Sequence, residues 1–171
     1  MVIVYHTDTG FTREYAMLLS RAEGVRMCSL EEAGYQLQPG ERVFYLGPLM
    51  AGTIKGLKKA RQLCEVVGVC GVGMSPPGPQ ALGALKQKNG TGELPLFYLQ
   101  GGWAPDRVGR VKRYMVGLAT RSIRRALEEK GDNRTPEEQA QLEFLISGGS
   151  FVRPEHLAEI RAWMHAASAP E

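Results

Sequence analysis

Two stretches of this chain are apolar on both faces, Arg42-Val43-Phe44-Tyr45-Leu46 and Val66 to Met74. A strand that alternates apolar and polar residues can leave one face in water. A strand that does not alternate must be covered on both sides, and the chain supplies such covers as crossover helices between parallel strands. That requirement organises the rest of the sequence. Val2 to Tyr5, Val25 to Leu30 and Pro95 to Leu99 read as three further strands. Helical periodicity falls between them. Thr12 to Ala22 carries Tyr15, Leu18, Leu19 and Ala22 at core-facing spacing, with Gly24 as its stop. Thr53 is placed to cap a helix that turns Ile54, Leu57, Ala60, Leu63 and Cys64 inward. Ser75-Pro76-Pro77-Gly78-Pro79 breaks the fourth strand, and Gln80 to Lys88 reads as a short helix. Glu31 to Gly40 is polar and too short for a full helix. Asp106 is placed to cap a long helix whose apolar stripe is Val108, Val111, Met115, Leu118, Ile123 and Leu127. Thr135-Pro136-Glu137-Glu138 is a capping box with proline at the first helical position. Pro154 opens a last helix with Leu157, Ile160, Trp163 and Met164 on one face. The expectation is an α/β protein: a five-stranded parallel sheet with helices on both faces and right-handed crossovers. It is one domain over residues 1–171, with extra C-terminal helices from about residue 136.

Several chemistries are excluded. No GxxxxGK[ST] and no GxGxxG after a strand occur, so neither a Walker-type nucleotide hydrolase nor a dinucleotide fingerprint is present. Asp8 stands alone where a receiver domain needs clustered carboxylates, and the first turn lacks the cysteine and arginine of a small tyrosine phosphatase. His6, His156 and His165 have no metal-ligand spacing, so no metal site is expected. Cys28, Cys64 and Cys70 are odd in number and lack CxxC spacing, which fits buried thiols in a reducing, cytoplasmic compartment. No apolar run approaches the ~20 residues of a membrane span.

In a sheet of this kind ligands bind at the carboxyl ends of the strands, so the loops there hold the site. The first is Thr7-Asp8-Thr9-Gly10-Phe11-Thr12, between strand one and the first helix. Backbone N–H groups at a helix start, threonine hydroxyls and a glycine that lets the chain curl make an anion site without lysine or arginine. Gly47-Pro48-Leu49-Met50-Ala51-Gly52 follows strand three, and Gln100-Gly101-Gly102-Trp103 follows strand five. Glycines that permit close backbone approach, with one large aromatic, suit a phosphorylated planar ligand.

These three loops resemble those of flavodoxins. Thr7 to Thr12 is similar to the FMN-phosphate loop, [ST]-x-[ST]-G-x-[ST]; Gly47 to Gly52 resembles the second flavin loop and Leu99 to Trp103 the third. The outline is similar to flavodoxin-domain proteins of the type that includes bacterial quinone-dependent protoporphyrinogen dehydrogenase. The resemblance implies a flavodoxin-like three-layer sandwich with strand order 2-1-3-4-5 and noncovalent FMN. Thr7, Asp8, Thr9, Gly10, Phe11 and Thr12 would hold the phosphate. Pro48, Leu49, Met50, Ala51 and Gly52 would lie along the flavin, and Gly101, Gly102 and Trp103 would border its other side. Phe11 stands where flavodoxins usually carry asparagine, and Met50 where an aromatic often stacks.

The implied function is an FMN-binding redox protein, an electron carrier or a small flavin-dependent oxidoreductase. A protoporphyrinogen dehydrogenase-type enzyme and a flavin-free docking module stand as alternatives. No residue marks itself as a catalytic acid or base. The net charge is only +3, but Arg107, Arg110, Lys112, Arg113, Arg121, Arg124, Arg125 and Lys130 crowd the long helix, opposed only by Asp106, Glu128 and Glu129. That face fits an acidic partner or an anionic surface rather than nucleic acid. The redox partner itself, a protein or a quinone-like small molecule, is not named by any motif.

Overall fold

The computed structural model describes residues 1–76, 78 and 81–168. Its chain divides into two compact units, residues 1–101 with 151–171, and residues 102–150.

The first unit is built on a parallel sheet. Its strands are β1 (Val2–Tyr5), β2 (Met27–Ser29), β3 (Arg42–Met50), β5 (Glu65–Gly73) and β6 (Leu96–Gln100), paired in the order β2-β1-β3-β5-β6. Counting the parallel strands alone, this is the 2-1-3-4-5 order expected. The two-residue β4 (Thr53–Ile54) is additional and pairs antiparallel with the end of β3. Helices lie on both faces, which makes the flavodoxin-like three-layer arrangement. Val2, Val4, Val43, Tyr45, Val66 and Val69 point to one face, under α2 (Leu30–Gln36), α3 (Leu57–Leu63) and α4 (Ala81–Asn89). Phe44 and Phe97 point to the other, where Trp163 of α7 (Ala158–Ser168) packs with ring centroids 5.3 and 5.8 Å away. Gly68 is the seat for that indole: a Cβ there would lie 2.6 Å from Trp163 and 2.9 Å from Phe44. Helix α1 (Phe11–Glu23) buries Tyr15, Ala16 and Leu19 completely.

Several expectations need correction. The segment after Leu30 does form a helix, α2, because Ser29 and Glu32 close a capping box: Glu32 N–H donates to Ser29 Oγ at 3.2 Å and Ser29 N–H to Glu32 Oε2 at 2.9 Å. Gly47 to Gly52 is not a loop throughout. Strand β3 runs to Met50 and turns through Ala51 (φ 49°) and Gly52 (φ 76°) into β4. Two central residues at positive φ are the requirement of a type I′ hairpin, whose twist matches its strands. Thr53 is therefore a strand residue, and α3 begins only after Gly56. The prolines at 77 and 79 and the expected helix start at Gln80 lie outside the described residues; α4 is described from Ala81.

The second unit holds β7 (Gly102–Trp103) and β8 (Gly149–Ser150), an antiparallel ribbon. Between them run α5 (Arg110–Glu129) and α6 (Pro136–Ser147). Helix α6 starts on the expected box, Glu138 N–H donating to Thr135 Oγ1 and Thr135 N–H to Glu138 Oε2. Helix α5 is capped at Gly109 rather than Asp106. Of the extra C-terminal helices foreseen from about residue 136, α6 belongs to this unit, while α7 returns to the sheet of the first. Among the described residues, no helix is long and apolar enough to cross a membrane.

Candidate functional site

The site lies at the carboxyl ends of β1, β3 and β5, where the winding of the sheet reverses between β1 and β3. From β1 the chain enters Thr7 to Gly10. Gly10 caps α1 in the left-handed region, φ 100°, and no side chain caps the helix. The first-turn N–H groups after Gly10 have no acceptor within the helix. Gly10 N–H donates to Thr7 Oγ1 at 3.0 Å. The Thr7 hydroxyl accepts that bond and keeps its own proton for an outside acceptor. Thr12 is 1% exposed, beneath the turn. The donors this turn offers an anion are therefore mainly backbone groups, joined by Thr7. Asp8 does not oppose an anion alone: Lys55 Nζ lies 2.6 Å from its Oδ1, and His6 Nε2 3.5 Å.

The β3–β4 hairpin supplies the second wall. Its tip is held from α4. Asn89 Nδ2 donates to Gly52 O at 2.9 Å, and Asn89 Oδ1 accepts from Ile54 N–H at 2.7 Å. Lys88 Nζ donates to Ala51 O. Met50, on the tip, is 44% exposed. Tyr45 anchors the descent to α3 through its hydroxyl, which donates to Lys55 O at 2.6 Å; burial pushes its phenol pKa up.

A cleft of about 510 Å³ opens between this hairpin, the turn after β5 and α4, lined by Leu49, Gly52, Met74, Ser75, Leu85 and Tyr98 among others. That volume is within the range of small-molecule sites. The turn after β5 was not among the sequence-derived site residues. Its signal was available: the fourth parallel strand is the neighbour of the third, so the turn after it lies beside the β3–β4 hairpin. Tyr98 Oη donates to Ser75 O at 2.5 Å and Gln100 Nε2 to Met74 O at 3.1 Å, fixing that turn from β6. Burial raises the Tyr98 phenol to about 12 and that of Tyr15 likewise to about 12. Their hydroxyls hold backbone carbonyls, Tyr98 that of Ser75 and Tyr15 that of Gln100 at 2.8 Å.

The third expected group divides. Gly101 N–H donates to Gly73 O at 2.7 Å, and a Cβ on Gly101 would lie 3.1 Å from Phe11 Cβ, so Gly101 adjoins the first turn. Gly102 and Trp103 belong to the second unit. Trp103 is 6% exposed and its indole N–H donates to Leu145 O at 3.3 Å. The aromatic side chain that lines the cleft is Tyr98.

Among the described residues, no group of histidine, cysteine or carboxylate side chains could hold a metal ion. Cys28, Cys64 and Cys70 are free and buried. Burial raises the pKa of all three, which keeps them as unreactive thiols. Comparison of the chain with protein-family models, with curated proteins and with solved structures finds no match in any of the three.

Proposed function

We propose that the first unit binds FMN and that the protein is an FMN-dependent redox protein, an electron carrier or a small oxidoreductase. The observation that carries this reading is the Gly10 turn, a helix start with no side-chain cap at the carboxyl end of β1, beside the winding reversal. A phosphate fits such a turn because N–H groups and the helix dipole converge on it, and the charge of Asp8 is met by Lys55. Phe11, Thr12 and Arg13 would offer N–H groups and Thr7 its hydroxyl. The hairpin tip Met50 to Gly52 and the turn Gly73 to Pro76 would border the ring, with Leu49 and Tyr98 as apolar walls. When bound, the flavin supplies the electron chemistry; the protein's part is to hold, orient and partly desolvate it. The exposed hairpin tip leaves an edge where a redox partner could approach. Three free, buried cysteines support a cytoplasmic setting.

The test is the visible spectrum of the purified protein, before and after incubation with FMN and removal of the excess. A retained flavin band, released as FMN on denaturation, is the expected result. No retained flavin in either sample overturns the reading and favours a flavin-free docking module. In a binding titration Gly10→Val should lower FMN affinity by at least about tenfold, because a β-branched residue resists φ 100°. Unchanged affinity would remove the first turn from the site.

A further inference from the structure

Helix α5 does not do what its sequence pattern suggests. The stripe Val111, Met115 and Leu118, spaced i, i+4, i+7, was expected to face a core. It faces outward instead, at 74%, 59% and 51% exposure, with Tyr114 beside it at 67%. Of that expected stripe only Leu127 at the far end of the helix is buried, on a side where Val116, Thr120 and Arg124 are half-buried. The outward row has no cover among the described residues. Arg110, Arg121 and Arg125 are exposed, and helical spacing puts them along the Tyr114 edge of the outward stripe. No acidic residue occurs from Arg107 to Leu127. Arg124 and Arg125 meet Glu128 and Glu129 at the far end, at 3.3 and 2.8 Å. Arg110, Arg113 and Arg121 make no ion pair among the described residues.

We propose that this face of α5 is a peripheral docking surface for an anionic lipid bilayer. The occupant follows from the chemistry of the stripe and its edge. The apolar row is narrow, Met, Leu, Val and a tyrosine, suited to entering the acyl boundary while the guanidinium groups stay at headgroup level. At 20 residues the helix is about 30 Å long and can lie flat along a surface. It cannot enter as a span, since charge is distributed along its whole length. A second copy of the same face is disfavoured, because pairing would bring two arginine edges together. Anionic headgroups answer that charge, and basic residues within a Debye length of them add to the attraction. The proposal rests on the second unit alone and is independent of the flavin reading.

The experiment is sedimentation of the full-length protein with sucrose-loaded vesicles, either pure phosphatidylcholine or a three-to-one mixture with phosphatidylglycerol. Binding to the mixed vesicles should exceed binding to the neutral ones by at least about tenfold and weaken as salt rises. Met115→Glu with Leu118→Glu should abolish it, and Arg110→Gln with Arg121→Gln should reduce it about tenfold, with helix content by circular dichroism unchanged. All four residues are exposed, so folding is not at stake. Failure of the wild-type protein to bind anionic vesicles overturns the proposal. So does equal binding by the Met115→Glu, Leu118→Glu variant, which would reduce the effect to charge alone. A wild-type dimer in sedimentation velocity that dissociates in that variant also overturns it, by assigning the face to a second copy.

Discussion

Helices α1 and α5 are both amphipathic, yet they spend their apolar residues in opposite ways. Helix α1 buries Tyr15, Ala16 and Leu19 completely against the sheet. Helix α5, longer by seven residues, buries one apolar side chain, Leu127, and leaves Val111, Met115 and Leu118 at least half exposed. Periodicity in the sequence is the same signal in both. What differs is the number of elements available to cover each one. The parallel sheet needs covering on both faces and recruits α1 and α7 for one of them. Helix α5 has only its neighbour α6 within its own unit, and one helix covers one stripe.

The contrast predicts a large difference in cost for the same substitution. Leu19→Ala removes a fully buried side chain and should destabilise the protein by about 3 kcal/mol in urea unfolding, within the range for cavity-forming changes. Leu118→Ala should lie within about 0.5 kcal/mol of wild type, as exposed positions do. Similar losses at the two sites would break the comparison and show that α5 is covered. Next in size is Gly68→Ala. The new methyl would press on Trp163 and Phe44, and overpacking of this kind costs about 1–3 kcal/mol. The loss should be accompanied by a shift in tryptophan fluorescence as the Trp163 indole moves. Loss of stability without that shift would remove Gly68 as the seat of α7.

The smallest effect is electrostatic and belongs to the same side of the comparison. Glu23 at the end of α1 meets Arg161 and His165 of α7, with N···O distances of 2.6 Å to each. The Arg161 hydrogen bond, against the desolvation, holds the Glu23 carboxyl below its ordinary value. A depressed folded-state pKa contributes stability above the unfolded value and loses it as pH falls through the folded one. Glu23→Gln should therefore lower stability at neutral pH and flatten the acid limb below about pH 4.5, read by thermal unfolding across pH. An unaltered acid limb would mean that the apolar face of α7, with Ile160 and Trp163, holds it without Glu23.

The legibility of the fold followed the same division. Every strand of the parallel sheet could be read, because Val43 to Leu46 and Val66 to Val72 admit only a doubly covered sheet; their order was implied by the flavodoxin resemblance instead. The capping box at Thr135 was read, while the equivalent one at Ser29 and Glu32 was passed over, since the short polar segment after it masked the signal. The hairpin at Ala51 and Gly52 was hidden for a different reason. Ala51 at φ 49° is a residue that sequence rules do not place in the left-handed region, and it stands there because β3–β4 pairing and the Lys88 and Asn89 contacts hold both sides of it. At the candidate site the glycine and threonine spacing marks the first turn at the carboxyl end of β1, where the structure has it. The turn after β5 is legible only as a strand end where a ligand can bind; its individual residues are not, because Ser75 and Met74 are held there by Tyr98 and Gln100, over twenty residues away in the chain. An indole beside two glycines reads in the sequence as a stacking face, while its N–H bond to Leu145 O is visible only in the fold.

The second unit leaves the first and rejoins it at one point. Phe151 N–H donates to Gly101 O at 2.7 Å, so the two ends of the excursion are already hydrogen-bonded to each other. In polymer terms the loop is closed at its neck, and the ordering entropy of everything beyond the neck is largely separate from that of the sheet. Insertions are tolerated where entry and exit coincide in this way. The excursion can therefore lengthen, shorten or be exchanged over evolutionary time while β6 and α7 keep their register. A lineage could thus acquire or discard a helix with an exposed apolar face without re-solving the fold that carries the first turn.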